Sequence, residues 1–138
     1  MTRDKVVQEA LTWLGTPYHS HARIKGVGVD CAQLPVAVYV ACGLIDTFNP
    51  NYDAQWHMHR DEELYLDFVK PHAKEIDPKD VQAGDFLIWR FGRTYSHGAI
   101  VINPPRIIHA YIDVGVTIDN YFEHSELANR PMKAFTLF

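Results

Sequence analysis

Cysteine is nearly missing from this chain: 138 residues hold two, Cys31 and Cys42. They lie eleven residues apart on a stretch that reads as one helix, which separates them by roughly 16 Å at 1.5 Å rise per residue. A disulfide needs Cα atoms within about 7 Å, so both thiols are expected to be free, which suits a reducing compartment. An excess of positive charge is also missing. The net charge is −4 with His neutral, and no Lys/Arg cluster stands out, so nucleic acid has no electrostatic footprint here and an anionic membrane has no partner. The longest apolar run, Leu34 to Cys42, is too short to span a bilayer. Met1 to Lys5 leads into a charged amphipathic pattern without an apolar h-region, so no secretory signal peptide is expected and synthesis in the cytoplasm is. There is no internal repeat, linker or low-complexity segment. With 47% apolar residues, one domain over residues 1–138 is the expected organisation.

Helical periodicity dominates the first part of the chain. Val6, Val7, Ala10, Leu11 and Leu14 share one face, with Thr2 or Asp4 as N-cap and Gly15 as the stop. Gly15-Thr16-Pro17-Tyr18 then turns into a polar loop containing His19, His21, Arg23 and Lys25, and a second helix follows to Gly43. Residues 46–60 read as an irregular loop, and Asp61-Glu62-Glu63 opens a short helix carrying Leu64, Tyr65, Phe68 and Val69 that Pro71 ends. From Asp85 the pattern becomes β-rich: Phe86–Trp89, Ala99–Ile102, Ile107–Ile112, Val114–Ile118 and Ala134–Phe138 are the predicted strands. Helices first and strands later indicate an α+β fold with an antiparallel sheet.

The stretch Lys25-Gly26-Val27-Gly28-Val29-Asp30-Cys31-Ala32-Gln33-Leu34 delivers one sulfur to the start of the second helix. Unpaired N–H groups and the positive helix end favour thiolate there and could hold an oxyanion. Taken alone, the stretch reads more readily as a buried cysteine behind a turn. Pro35 leaves two helix starts open. If Cys31 is the first helical residue, Pro35 removes the bond to its carbonyl and kinks the first turn; if regular helix begins nearer Gln33, Pro35 falls where proline is tolerated.

A nucleophile needs a base, and among eight histidines two have strand positions that set them apart. His97 heads the run Ser96-His97-Gly98-Ala99-Ile100-Val101, and His109 lies inside Ile107-Ile108-His109-Ala110-Tyr111. Singly, each is explained as a surface residue or a satisfied core histidine. Together they flank a turn at 103–105, so their strands are expected to be hairpin neighbours. A three-residue loop opposes Ile102 to Arg106 and sets His109 opposite Ala99, diagonal to His97 on the same face. A two- or four-residue loop would put the two rings on opposite faces.

These residues, taken in order, resemble the NlpC family of cell-wall cysteine peptidases: Gly15-Thr16-Pro17-Tyr18, Gly28-Val29-Asp30-Cys31, Ala83-Gly84-Asp85-Phe86-Leu87, Ser96-His97-Gly98-Ala99-Ile100-Val101 and Ile108-His109-Ala110. The likeness runs from about residue 5 to 112 and is most similar to phage tail-associated members, which are compact and often lack a signal peptide. It implies a papain-like α+β fold with the nucleophile at a helix start, packed on the sheet that carries the base. Cys31 would attack an amide of a peptidoglycan stem peptide, His97 would be the base, and His109 would orient it. Tyr18 resembles the family tyrosine that points into the site, and the Cys31 backbone N–H would stabilise the oxyanion. No metal or organic cofactor is implied; the partners are stem peptides and, for tail-associated members, phage tail proteins that carry the enzyme to the wall.

The chain departs from the family where Asp-Cys is usually followed by Ser-Gly; here Ala32-Gln33 follow. In members that read a free N-terminal amine, the Asp and Ser help bind it. Asp30 is kept, Ala32 has no hydroxyl and Gln33 is bulkier than Gly, so the γ-D-glutamyl-diaminopimelate specificity does not carry over with the motif. Asp30, Ala32 and Gln33 remain the substrate-binding candidates. His57-Met58-His59 has no zinc-spaced partners and reads as solvated loop, as do His19 and His21; Asp85 reads as turn chemistry. Two other functions fit the same residues: a catalytically silent tail-assembly or adaptor module, and an amidase toxin delivered by a secretion system.

Overall fold

The computed structural model describes residues 2–47 and 69–138. The helix expected over residues 61–69 and the His57-Met58-His59 pair lie mainly or wholly outside them. Helix α1 (Arg3–Leu11) is capped by the Thr2 hydroxyl, which accepts from the Lys5 N–H at 3.3 Å. A two-residue ladder, β1 (Arg23–Ile24) with β2 (Gly28–Val29), precedes α2 (Gln33–Ala41). This small ladder was not evident from the sequence pattern. Six strands follow: β3 (Lys74–Ile76), β4 (Phe86–Phe91), β5 (Thr94–Asn103), β6 (Arg106–Tyr111), β7 (Gly115–Asn120) and β8 (Met132–Thr136). They form one sheet in the order β3-β8-β4-β5-β6-β7, with every neighbouring pair antiparallel. The expected α+β class with an antiparallel sheet is what the chain adopts.

The strands read as continuous apolar runs because both faces of the sheet are covered. Phe86, Ile88, Ile100, Ile108, Ala110 and Phe135 pack under α1 and α2 against Val6, Ala10, Leu34 and Val38. Leu87, Trp89, Ala99, Val101, Ile107 and Ala134 face the other way, beneath Tyr121 and Leu127 of the segment between β7 and β8. This second face is the one that carries His97 and His109, which share the odd-numbered positions of β4–β6 with Leu87, Trp89, Ala99 and Ile107.

The β5–β6 hairpin keeps the expected register by a different route. Its turn has two residues, since Asn103 pairs with Arg106, a connection that by itself would separate the two rings. A bulge between Val101 and Asn103 restores parity, so Val101 pairs with Ile107 and Ile100 with Ile108. The extra residue of a bulge shifts the pleat by one and returns the histidines to one face.

Asp85 is more than a turn residue. It is 1% exposed, and its carboxylate accepts from Arg3 Nη1 at 2.7 Å, the Thr136 hydroxyl at 2.6 Å and the Gln82 N–H at 2.8 Å. One carboxylate thereby ties α1, the entry to β4 and β8 together.

Candidate active site

The segment 15–18 is held between two elements, which fixes Tyr18. The Gly15 N–H donates to the Val116 carbonyl at 3.1 Å and the Val116 N–H donates to the Thr16 carbonyl at 2.9 Å. On the other side, Val29 N–H donates to the Pro17 carbonyl at 3.0 Å and His19 N–H to the Val29 carbonyl at 3.1 Å. Gly115 is required at this junction. Its φ is +93°, and a Cβ there would lie 2.7 Å from the Thr16 carbonyl oxygen.

Asp30 builds the helix start. It is 2% exposed, and its Oδ1 accepts from the N–H groups of Ala32 at 3.1 Å and Gln33 at 2.9 Å. Its carbonyl accepts from Leu34 N–H at 3.0 Å, so the helical bonding reaches back over Cys31 although regular α2 begins at Gln33. Pro35 is the third residue of α2 and falls in the tolerated first turn. The other Asp30 oxygen accepts from His21 N–H at 2.7 Å, which anchors the preceding loop.

Cys31 and Cys42 are both free. The Cys31 sulfur lies against the main chain on either side of His97: its S–H donates to the Ser96 carbonyl at 3.5 Å, and the Gly98 N–H is close enough to lower its pKa. A second bulge makes this approach available. Trp89 pairs with His97 while Arg90 pairs with Tyr95, which leaves Ser96 outside the ladder. The Tyr18 hydroxyl bonds to the same sulfur and also lowers its pKa.

The helix start nevertheless does not yield a ready thiolate. Burial, and then the charge of Asp30, push the Cys31 thiol up to about 12. Desolvation penalises the charged form, and the Ala32 and Gln33 N–H groups that would favour it are spent on Asp30. Tyr18 is driven up as well, by burial and by nearby Cys31 and Asp30.

His97 and His109 are 7% and 0% exposed, and His97 Nε2 lies 2.8 Å from His109 Nδ1. His109 Nε2 in turn lies 2.7 Å from Asp119 Oδ2. These bonds satisfy imidazoles that would otherwise be orphaned in an apolar layer at about 1–3 kcal/mol each. They also set the tautomers. A carboxylate only accepts, so His109 carries its proton on Nε2 and offers a lone pair at Nδ1. His97 must then donate from Nε2, which leaves its own Nδ1 unprotonated and basic. His97 is held well below 6.5 by burial and by the proximity of His109 and His124; His109 is lowered by burial in spite of Asp119. The arrangement is therefore a protonated thiol set against the main chain that flanks His97, and a neutral His97 imidazole whose Nδ1 carries no proton.

Asp119 was not anticipated from the sequence, although a signal was there. It lies on β7 two residues beyond Thr117, the pairing partner of His109, and so shares its face. His124, whose ring centroid is 5.6 Å from that of His109, sits in the β7–β8 segment, which has no periodicity to place it. Of the substrate-binding candidates, Ala32 and Gln33 are 5% and 3% exposed, so neither presents a side chain to solvent. Gln33 Oε1 has no hydrogen-bond partner among the described residues. Ala32 instead lines a small apolar cavity of about 50 Å³ with Pro35, Val36, Tyr39 and Phe86. His19 and His21 are exposed.

The buried titrating groups predict how stability varies with pH. His97 and His109 are lowered from 6.5, so the native state binds fewer protons than the unfolded chain in mild acid. Their contribution is complete above about pH 6.5 and is lost as pH falls toward the shifted values. Cys31 acts at the other end: raised from 9.0 to about 12, it keeps a proton that the unfolded chain releases. Its contribution is complete below about pH 9 and is lost as pH rises toward 12. Urea midpoints measured across pH should be highest between these limits and fall on both sides; a midpoint that increases below pH 6 would contradict the buried neutral pair.

Comparison with known proteins agrees with the fold. Residues 15–133 match the model of the NlpC/P60 family, and the chain belongs to that family. The NlpC/P60 domain of the peptidoglycan hydrolase SagA is similar in structure, with a TM-score of 0.65 at 19% identity over 96% of this chain and 97% of that one. An NlpC/P60 family protein from Bacillus cereus superposes with a TM-score of 0.70 at 18% identity over 96% of this chain, which spans 39% of that longer protein. RipD from Mycobacterium tuberculosis, a non-catalytic NlpC/P60 domain protein adapted to peptidoglycan binding, gives a TM-score of 0.63 at 12% identity over 99% and 97% of the two chains. A search of curated proteins finds no match.

Proposed function

We propose that this protein is a cysteine peptidase that hydrolyses amide bonds in peptidoglycan stem peptides. The observation that carries the reading is the continuous relay of His97, His109 and Asp119 beside the main-chain cradle of Cys31. His97 Nδ1 takes the thiol proton as Sγ attacks the amide carbonyl, so the thiolate never stands free in a site that opposes it. The Cys31 backbone N–H stabilises the oxyanion. The imidazolium then protonates the leaving amine, and His97 next activates the water that cleaves the thioester, regenerating the thiol. His109, held by Asp119, is the positioning residue that keeps the base in its productive tautomer.

A silent wall-binding module is the competing reading, favoured by the structural likeness to RipD. Incubating the protein with purified muropeptides and reading the products by mass spectrometry separates the two. The parent should release new amine and carboxyl termini, and the Cys31→Ala protein should release none while binding as before. Equal cleavage by both proteins would refute the proposal. Binding without cleavage by the parent would establish the silent module.

A further inference from the structure

His109, Asp119 and His124 form a cluster that the reaction uses only in part. One ligating atom of each lies within 4.8 Å of the others, and they are the group among the described residues able to hold a metal ion in this way. His109 is fully buried; Asp119 is 35% exposed and His124 is half-buried, so the cluster opens to solvent on one side. His124 Nδ1 accepts from the Glu126 N–H at 3.1 Å, which orients the ring and leaves Nε2 for a ligand. Its ring also stacks edge-on to Tyr111 at 4.9 Å.

We propose that this cluster is an inhibitory site for a borderline divalent cation such as Zn²⁺. Two imidazoles and one carboxylate are a donor set that suits zinc, with a fourth position left to water. Metal–ligand bonds of about 2.0–2.2 Å put neighbouring ligand atoms roughly 3.4 Å apart. His109 and Asp119 are already closer than that, at 2.7 Å. With the ligating atoms within 4.8 Å of one another, closure asks for no more than about 1.4 Å from the two side chains that have solvent to move into.

The consequence for turnover rests on the proposed function and follows from proton bookkeeping along the relay. A metal on His109 Nε2 displaces the proton that Asp119 held there. The proton on His97 Nε2 then passes across the hydrogen bond to His109 Nδ1, so that His109 becomes the donor and His97 Nε2 the acceptor of the same bond. His97 completes its neutral form with a proton from water on Nδ1. One proton leaves His109 Nε2 and one is taken up at His97 Nδ1, so the net count is unchanged. The base, however, has lost the lone pair that would have received the thiol proton. Metal binding at a distance from the sulfur thus turns the relay round and stops it.

The test uses Co²⁺ as a spectroscopic probe and Zn²⁺ as competitor on the full chain carrying Cys31→Ala, where neither the Cys31 thiol nor activity contributes. Visible d–d bands without a sulfur charge-transfer band are expected, bleached by Zn²⁺, with affinity at least tenfold weaker when His124→Ala is added. In the parent background, His124→Ala should leave basal turnover unchanged and demand at least tenfold more Zn²⁺ for half inhibition. Cobalt binding that vanishes with Cys31→Ala, or that is indifferent to His124→Ala, would overturn the site. Cobalt binding as expected together with an unchanged Zn²⁺ inhibition curve would overturn the relay reversal. A parent without muropeptide cleavage would sink the proposed function while the spectra still judge the metal site.

Discussion

Replacing His97 by Ala is expected to lower kcat/KM on muropeptides by roughly 10²–10⁴-fold, the range over which a positioned proton acceptor contributes. The reason is quantitative. With its thiol near 12, Cys31 is ionised in only about one molecule in 10⁵ at pH 7. The Tyr18, Gly98 and Cys31 contacts that favour thiolate do not offset burial and Asp30, so the helix start alone cannot generate the nucleophile. The base must remove the proton as the bond forms. Two readouts follow. KM should move little, because His97 is 7% exposed and offers little surface for binding the substrate. The residual rate of His97→Ala should also climb roughly tenfold per pH unit as hydroxide replaces the base, whereas the parent should be flat from neutrality upward over the same range. A His97→Ala protein as active as the parent at pH 7 would mean that another group takes the proton.

The second large effect concerns folding. Asp85→Ala should destabilise the protein by about 3 kcal/mol, read as a lower urea midpoint at unchanged slope. The substitution strips partners from Arg3, Thr136 and the Gln82 N–H at once. Arg3 is 29% exposed, so water recovers part of its charge and the cost stays below that of a fully buried broken pair. Asp85→Asn keeps an acceptor for two of the three donors and should lose less than half as much. If Asp85→Ala melts like the parent, the junction of α1, β4 and β8 is held by apolar packing alone.

Much of the site was readable from the chain order. Gly28 to Leu34 placed a cysteine at a helix start, and apolar runs with two embedded histidines marked neighbouring strands. These features are local: turn chemistry, helix period and strand pleat are set within a few residues, and spacing along the chain records them. The α+β class followed from the same local rules. What only the tertiary structure decided is what depends on elements meeting. The hairpin turn is one residue shorter than the expected pairing required, and a bulge beyond the turn restored the face on which His109 meets His97. Asp119, which sets the direction of the proton relay, comes from the next strand and is joined to His109 by register. The protonation state of Cys31 went against its helix start, because burial, and then the charge of neighbouring Asp30, oppose the thiolate. The sequence by itself determined which residues are the candidates for the proposed chemistry. Packing decided which protons they hold, since the cost of charge depends on everything that excludes water around them.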